Sequence, residues 1–133
     1  MLLTKYALVI GAVACMTSAA LAQAPAEAGL KAELVVCTSI VDREPQGADT
    51  TFAVSAGSLY AWSRITGASG ETTVTHVWSR DGQAMAEVAL PVGSGSWRTY
   101  SQKNLYGLAG RWEVKVVDAA GSTLSAVSFT VTP

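Results

Sequence analysis

Residues 110–116 read Gly110-Arg111-Trp112-Glu113-Val114-Lys115-Val116, an unbroken alternation of apolar and charged side chains. Successive side chains of a β-strand point to opposite faces, so Trp112, Val114 and Val116 share one side and Arg111, Glu113 and Lys115 the other. The first row must be buried and the second must meet water, as in an antiparallel sheet with one solvated face. Toward the C-terminus, Val127, Phe129 and Val131 give residues 123–131 a matching inner row across the Asp118-Ala119-Ala120-Gly121 turn. Toward the N-terminus, residues 72–79 and 83–90 flank Arg80-Asp81-Gly82, and Asp-Gly between β-rich runs is a strong hairpin signal.

Farther out, the same punctuation recurs: short β-branched and aromatic runs cut by Gly, Asp and Pro. Strands are predicted over 32–41, 50–54, 58–66 and 97–103. The first is stopped by Asp42-Arg43-Glu44-Pro45, where Pro45 lacks the N–H a ladder needs. No stretch holds helical apolar spacing for more than two turns. Seven or eight short strands with frequent turns indicate an all-β, immunoglobulin-like antiparallel sandwich. Trp78, just ahead of its Asp-Gly turn, matches the core tryptophan of a central strand in such folds. Removing Trp112 is expected to cost about 3–5 kcal/mol by cavity formation.

The N-terminus is of another kind. Lys5 precedes an apolar or small run from Ala7 to Met16, and Ala20-Leu21-Ala22 supplies a small-residue cleavage pattern. That layout is a secretory signal peptide over 1–22, too short in its apolar part to span a bilayer. Residues 23–31 read as a tether and 32–133 as the domain. The mature protein is therefore expected in the periplasm or outside the cell, with no transmembrane span. Lipidation at Cys15 is the competing reading, weakened because Ala12 stands where such signals usually carry Leu.

Cleavage after Ala22 leaves 111 of the 133 residues and removes Lys5, so eight basic side chains face ten acidic ones. This balance gives no reason to expect nucleic acid as a partner. Much of the mean hydropathy of +0.31 belongs to the signal segment. Cys37 is alone in the mature domain, cannot form an internal disulfide, and reads as a small buried hydrophobe in Leu34-Val35-Val36-Cys37.

The chemistry-bearing residues are sparse. His76 is the sole histidine, and the glycine-flanked serines at Gly67-Ala68-Ser69-Gly70 and Gly93-Ser94-Gly95-Ser96 lack nucleophile-elbow spacing. One Cys and one His do not make a zinc site, and Asp42 and Glu44 with Arg43 between them do not make a calcium loop. No enzyme activity and no cofactor are expected. Three rows carry more information: Tyr60, Trp62 and Arg64; His76, Trp78 and Arg80; and Arg98, Tyr100 and Gln102. Each row lies on one side of its strand. On an outer sheet face they would form an aromatic surface edged by guanidinium groups, suited to stacking a sugar or gripping an anion. The competing reading, which takes precedence, puts Tyr60, Trp62 and Trp78 in the core, since buried aromatics dominate small sandwiches.

Cys37 with Asp42-Arg43-Glu44-Pro45, His76-Val77-Trp78, Trp97-Arg98-Thr99-Tyr100-Ser101-Gln102-Lys103, and Gly110-Arg111-Trp112-Glu113-Val114 with Asp118 and Gly121 resemble, in this order, the bacterial family DUF2914. The resemblance covers about residues 35–131, with Tyr100 and Gln102 where the family pattern often has Trp and Ser. It implies an exported or membrane-associated bacterial domain without an established activity, and places Arg98, Ser101 and Lys103 in the family motif. Arg98 and Ser101 have opposite parity, so the motif is expected to serve both surface and packing.

The candidate binding residues are thus Tyr60, Trp62, His76, Arg80, Arg98, Tyr100 and Lys103. The expected function is a non-catalytic binding or interaction module whose partner is an envelope glycan or protein. The alternatives are a structural subunit pairing through an edge strand and a small hydrolase built on His76. The oligomeric state is not legible in the sequence.

Overall fold

The computed structural model describes residues 29–133. The expected signal peptide, Cys15 and most of the tether lie outside the described residues. Ten strands follow one another: β1 (Lys31–Cys37), β2 (Ser39–Val41), β3 (Glu44–Gln46), β4 (Thr51–Ala53), β5 (Ser58–Thr66), β6 (Thr72–Arg80), β7 (Gln83–Val92), β8 (Ser96–Asn104), β9 (Gly110–Val117) and β10 (Thr123–Thr132). Seven of them are long, and these with the short β4, expected over 50–54, answer to the strands read from the sequence.

Two sheets stack into an immunoglobulin-like sandwich. One has the order β1-β5-β8, the other β4-β10-β9-β6-β7, and β2-β3 form a separate small hairpin. All pairings are antiparallel except β4 with β10. Between the sheets lie Trp78, Trp112, Val114, Val116, Phe129 and Val131, with Leu34, Val36, Leu59 and Ile65 from the opposite side. Phe129 is the hub: it stacks on Trp112 and meets Trp78 and Phe52 edge-on. The β6–β7 turn bears Asp81 and Gly82, both with positive φ, the conformation that makes Asp-Gly a hairpin former.

Two local expectations need correction. Residues 32–41 are not one strand, because pairing with β5 ends at Cys37 and the chain turns at Thr38 into β2. Pro45 does not end the structure either. It sits inside β3, opposite Ile40, in a two-stranded ribbon where a proline can turn its missing donor away from the partner. The β2–β3 turn is Asp42-Arg43, with φ of 52° and 64°. Both residues occupy the left-handed region, which asparagine or glycine would fill more cheaply.

Candidate binding groove on the three-stranded sheet

The pairing register sorts the aromatic and arginine rows. Within β5, Leu59, Ala61, Ser63 and Ile65 point inward and are fully buried. Tyr60, Trp62 and Arg64 therefore point outward, and each has a direct neighbour on β8: Gln102, Tyr100 and Arg98 respectively. On β1 their neighbours are Cys37, Val35 and Glu33. Three cross-strand rows thus cover the outer face, grading from Cys37-Tyr60-Gln102 through Val35-Trp62-Tyr100 to Glu33-Arg64-Arg98.

This face is partly roofed. The Trp62 indole N–H donates to the Arg43 carbonyl at 2.8 Å, which holds the β2–β3 turn over the sheet. Trp62 is consequently only 5% exposed although it faces away from the core, and Cys37 is sealed beside it. Burial pushes the Cys37 thiol above its ordinary pKa, moderated by backbone contacts with Gln46 and Ser39. Tyr100 remains 47% exposed and meets Tyr60 edge-on at 5.7 Å. The core reading of Trp62 and Tyr60 therefore fails in its geometry: Trp62 is buried under the hairpin rather than between the sheets, and Tyr60 is half-buried on the outer face.

Arg43, Trp62, Pro91, Trp97, Arg98, Thr99 and Tyr100 line a hollow of about 230 Å³. Arg43, Trp97 and Arg98 also border a second hollow of about 540 Å³, completed by Arg64, Ser94 and Ser96. The two hollows are neighbours that share those three side chains, the first lined mainly by aromatic groups and the second by arginines and serines; together they are called the groove. Arg98 donates to Glu44 at 2.8 Å, an exposed pair that fixes its direction more than it adds stability. Arg64 leans over the Trp62 ring, 5.9 Å from its centroid.

The remaining candidates lie elsewhere. His76 and Trp78 belong to β6 and point into the core, both fully buried. His76 Nε2 is 2.8 Å from Ser63 Oγ, and its Nδ1 is 2.7 Å from Ser101 Oγ, which also accepts the Trp78 indole N–H at 3.0 Å. Desolvation lowers the His76 pKa to about 4, so the ring is neutral. A neutral imidazole offers one donor and one acceptor, which two hydroxyls can satisfy in either tautomer. This chain of bonds ties the two sheets together and is closed to solvent at Ser63 and His76. Arg80 is half-buried and donates to the Ala109 carbonyl. Lys103 has the inward parity of Ser101 and sits at the far end of β8, over the Tyr106 ring. The Trp97–Lys103 motif thus divides as its parity implies, with Arg98 in the groove and Ser101 in the polar core.

Sequence reading missed Arg43 and Trp97 as groove residues. In the sequence Arg43 belongs only to the segment that stops the first strand, because nothing local says that its turn folds back onto Trp62. Asp118 does local work: its Oδ1 accepts the Ala120 and Ser122 N–H groups and closes the β9–β10 turn. Among the described residues no three His, Cys, Asp or Glu side chains gather as metal ligands, and no helix is long and apolar enough to cross a membrane.

With the strands placed, the chain can be set beside known proteins. Residues 71–131 match DUF2914, a protein family of unknown function. The matched segment runs from β6 to β10 and contains Trp97, Arg98 and Tyr100. Strands β1 and β5 and the β2–β3 hairpin, which bring Trp62, Arg64 and Arg43, precede it. No curated protein matches the chain. Among solved structures it is similar to the β-glucosidase from Listeria innocua in complex with glucose (TM-score 0.49) and with isofagomine (TM-score 0.50). Each is 12% identical over 78% of this chain and 16% of that one, so the chain spans about a sixth of the enzyme's length. At that identity the likeness is one of fold.

Proposed function

We propose that this domain is a non-catalytic binding module of the bacterial envelope that takes a saccharide along the outer face of β5 and β8. The observation that carries the reading is the hollow beside the exposed Tyr100 ring, with Arg98 at its rim and lined also by the half-buried Trp97 and the edge of the roofed Trp62. Exposed aromatic surface stacks against the C–H faces of a sugar ring, and guanidinium and hydroxyl groups at its rim supply directed donors. A groove of this kind, with few convergent polar groups on an apolar floor, is the usual form of a small-ligand site. The export expected from residues 1–22, and the exported or membrane-associated setting that the family resemblance implies, agree with a ligand outside the cytoplasm. The test is a panel of neutral and acidic oligosaccharides titrated against the wild type and Tyr100→Ala. Saturable binding that falls about tenfold or more in the variant supports the reading, and unchanged binding refutes it.

A second reading rests on β8 itself. It is an edge strand of its sheet, with no strand paired beyond it among the described residues, so a partner protein could add a strand there. In that case the alternate amides of β8 would gain hydrogen-exchange protection on binding, which a sugar on the face would not give.

A further inference from the structure

Three of the chain's five arginines border the same end of the groove, and only one of them, Arg98, is paired with a carboxylate among the described residues. Arg64 and Arg98 are direct cross-strand neighbours, an arrangement that is destabilising for like charges. Arg43 sits in the left-handed region, unfavourable for any residue with a Cβ. Carboxylates do not neutralise the cluster. Glu44 is committed to Arg98. Glu33 is the direct neighbour of Arg64 on β1, yet Arg64 forms no ion pair with it and lies instead over Trp62 toward the groove. The Arg43 guanidinium has no hydrogen-bond or ion-pair partner among the described residues. Ser94 and Ser96 add hydroxyl groups to the same rim.

We infer that this basic end is an anion subsite, and that the saccharide taken by the groove is acidic, carrying a carboxylate or an ester sulfate that docks between Arg43, Arg64 and Arg98. This deepens the saccharide reading above and rests on it for the sugar, though not for the anion. Guanidinium groups grip carboxylate and sulfate oxygens through paired N–H donors, in a geometry that lysine cannot offer. The aromatic half then holds the ring that bears the charge. Arg98, already oriented by Glu44, is the fixed member, and Arg43 and Arg64 supply the uncompensated charge.

The test has two levels. The Arg43, Arg64 and Arg98 Nε–H signals are first followed by NMR on addition of galacturonic acid, inorganic sulfate and, as a neutral control, galactose. Selective, saturable shifts with the two anions and none with galactose are expected. Loss of the anion-induced shift at the remaining Arg98 Nε–H in Arg43→Gln/Arg64→Gln, with the spectrum otherwise native, would complete the assignment. Oligogalacturonate, its methyl ester and sulfated maltohexaose are then compared by calorimetry. The acidic oligomers should bind about tenfold more tightly than the ester, and the double variant should erase that margin. Glu44→Gln should tighten the acidic ligands by removing a competitor for Arg98. Equal binding of ester and acid overturns the inference and leaves the saccharide reading standing. Anion shifts without any oligosaccharide binding do the reverse: the anion subsite stands and the sugar falls. Unselective shifts, or a charge preference that survives the double variant, overturn the subsite itself.

Discussion

Arg64 and Arg98 stand directly opposite each other on β5 and β8. Directly opposed like charges repel by a few tenths of a kcal/mol up to about 1 kcal/mol. A double-mutant cycle with Arg64→Ala and Arg98→Ala isolates that term from the other contacts of each residue. The coupling should be repulsive at about 20 mM salt and shrink at about 500 mM, as exposed charges are screened. An attractive coupling in urea denaturation would mean that the pair is stabilised from within the fold.

Arg43 leads to a trade between stability and binding. Replacing it by glycine relieves the left-handed backbone and turns Asp42-Arg43 into an Asp-Gly turn, the preferred sequence for this hairpin type. Arg43→Gly should therefore stabilise the domain by about 0.5–1 kcal/mol in urea melts, after allowing for the freer unfolded chain. The same variant should bind anions less well. A destabilised variant would show that the arginine side chain supports the fold, contrary to the strain argument.

His76 makes stability depend on pH. Its folded pKa of about 4 lies below the ordinary 6.5, so as pH falls the unfolded chain takes up the proton first. The stability held by the neutral ring is complete above about pH 6.5 and is lost as pH falls toward about 4, roughly 3 kcal/mol in all. Wild type should lose markedly more stability than His76→Gln between about pH 7 and pH 4.5. Parallel losses in the two proteins would place the proton uptake elsewhere.

The four tryptophans separate by accessibility. Trp78 and Trp112 are fully buried, Trp62 is roofed by the hairpin and Trp97 is half-buried at the groove. With single Trp→Phe variants, acrylamide quenching should drop most in Trp97→Phe. A loss of comparable size in Trp62→Phe would mean that the β2–β3 turn opens in solution.

What the sequence revealed follows from which interactions are local. Alternation at Trp112, Val114 and Val116 reports burial directly, since one strand has only two faces, and the Asp81-Gly82 turn declares itself by residue type. Parity also grouped Tyr60, Trp62 and Arg64 with one another, and Arg98 with Tyr100. Parity cannot say which side of a sheet a row faces. That depends on pairing partners far along the chain, and so the row of His76 and Trp78 falls in the core while that of Trp62 falls outside. Arg43 was hidden for the same reason: its role comes from a backbone hydrogen bond to Trp62, nineteen residues on.

The chain Ser63–His76–Ser101–Trp78 has a bearing on how the sheets find their alignment. A strand displaced by one residue turns its apolar row outward and is rejected at once, whereas displacement by two leaves the in-and-out pattern intact. Hydrophobicity alone is nearly blind to that second error. Hydroxyls at positions 63 and 101 facing one imidazole are not, because a two-residue slip of β5 or β8 would strand buried polar atoms without partners. The polar centre acts as a key that admits a single alignment. Since Trp62 and Tyr100 each adjoin one of its serines, the same key sets which aromatic stands beside which arginine on the surface.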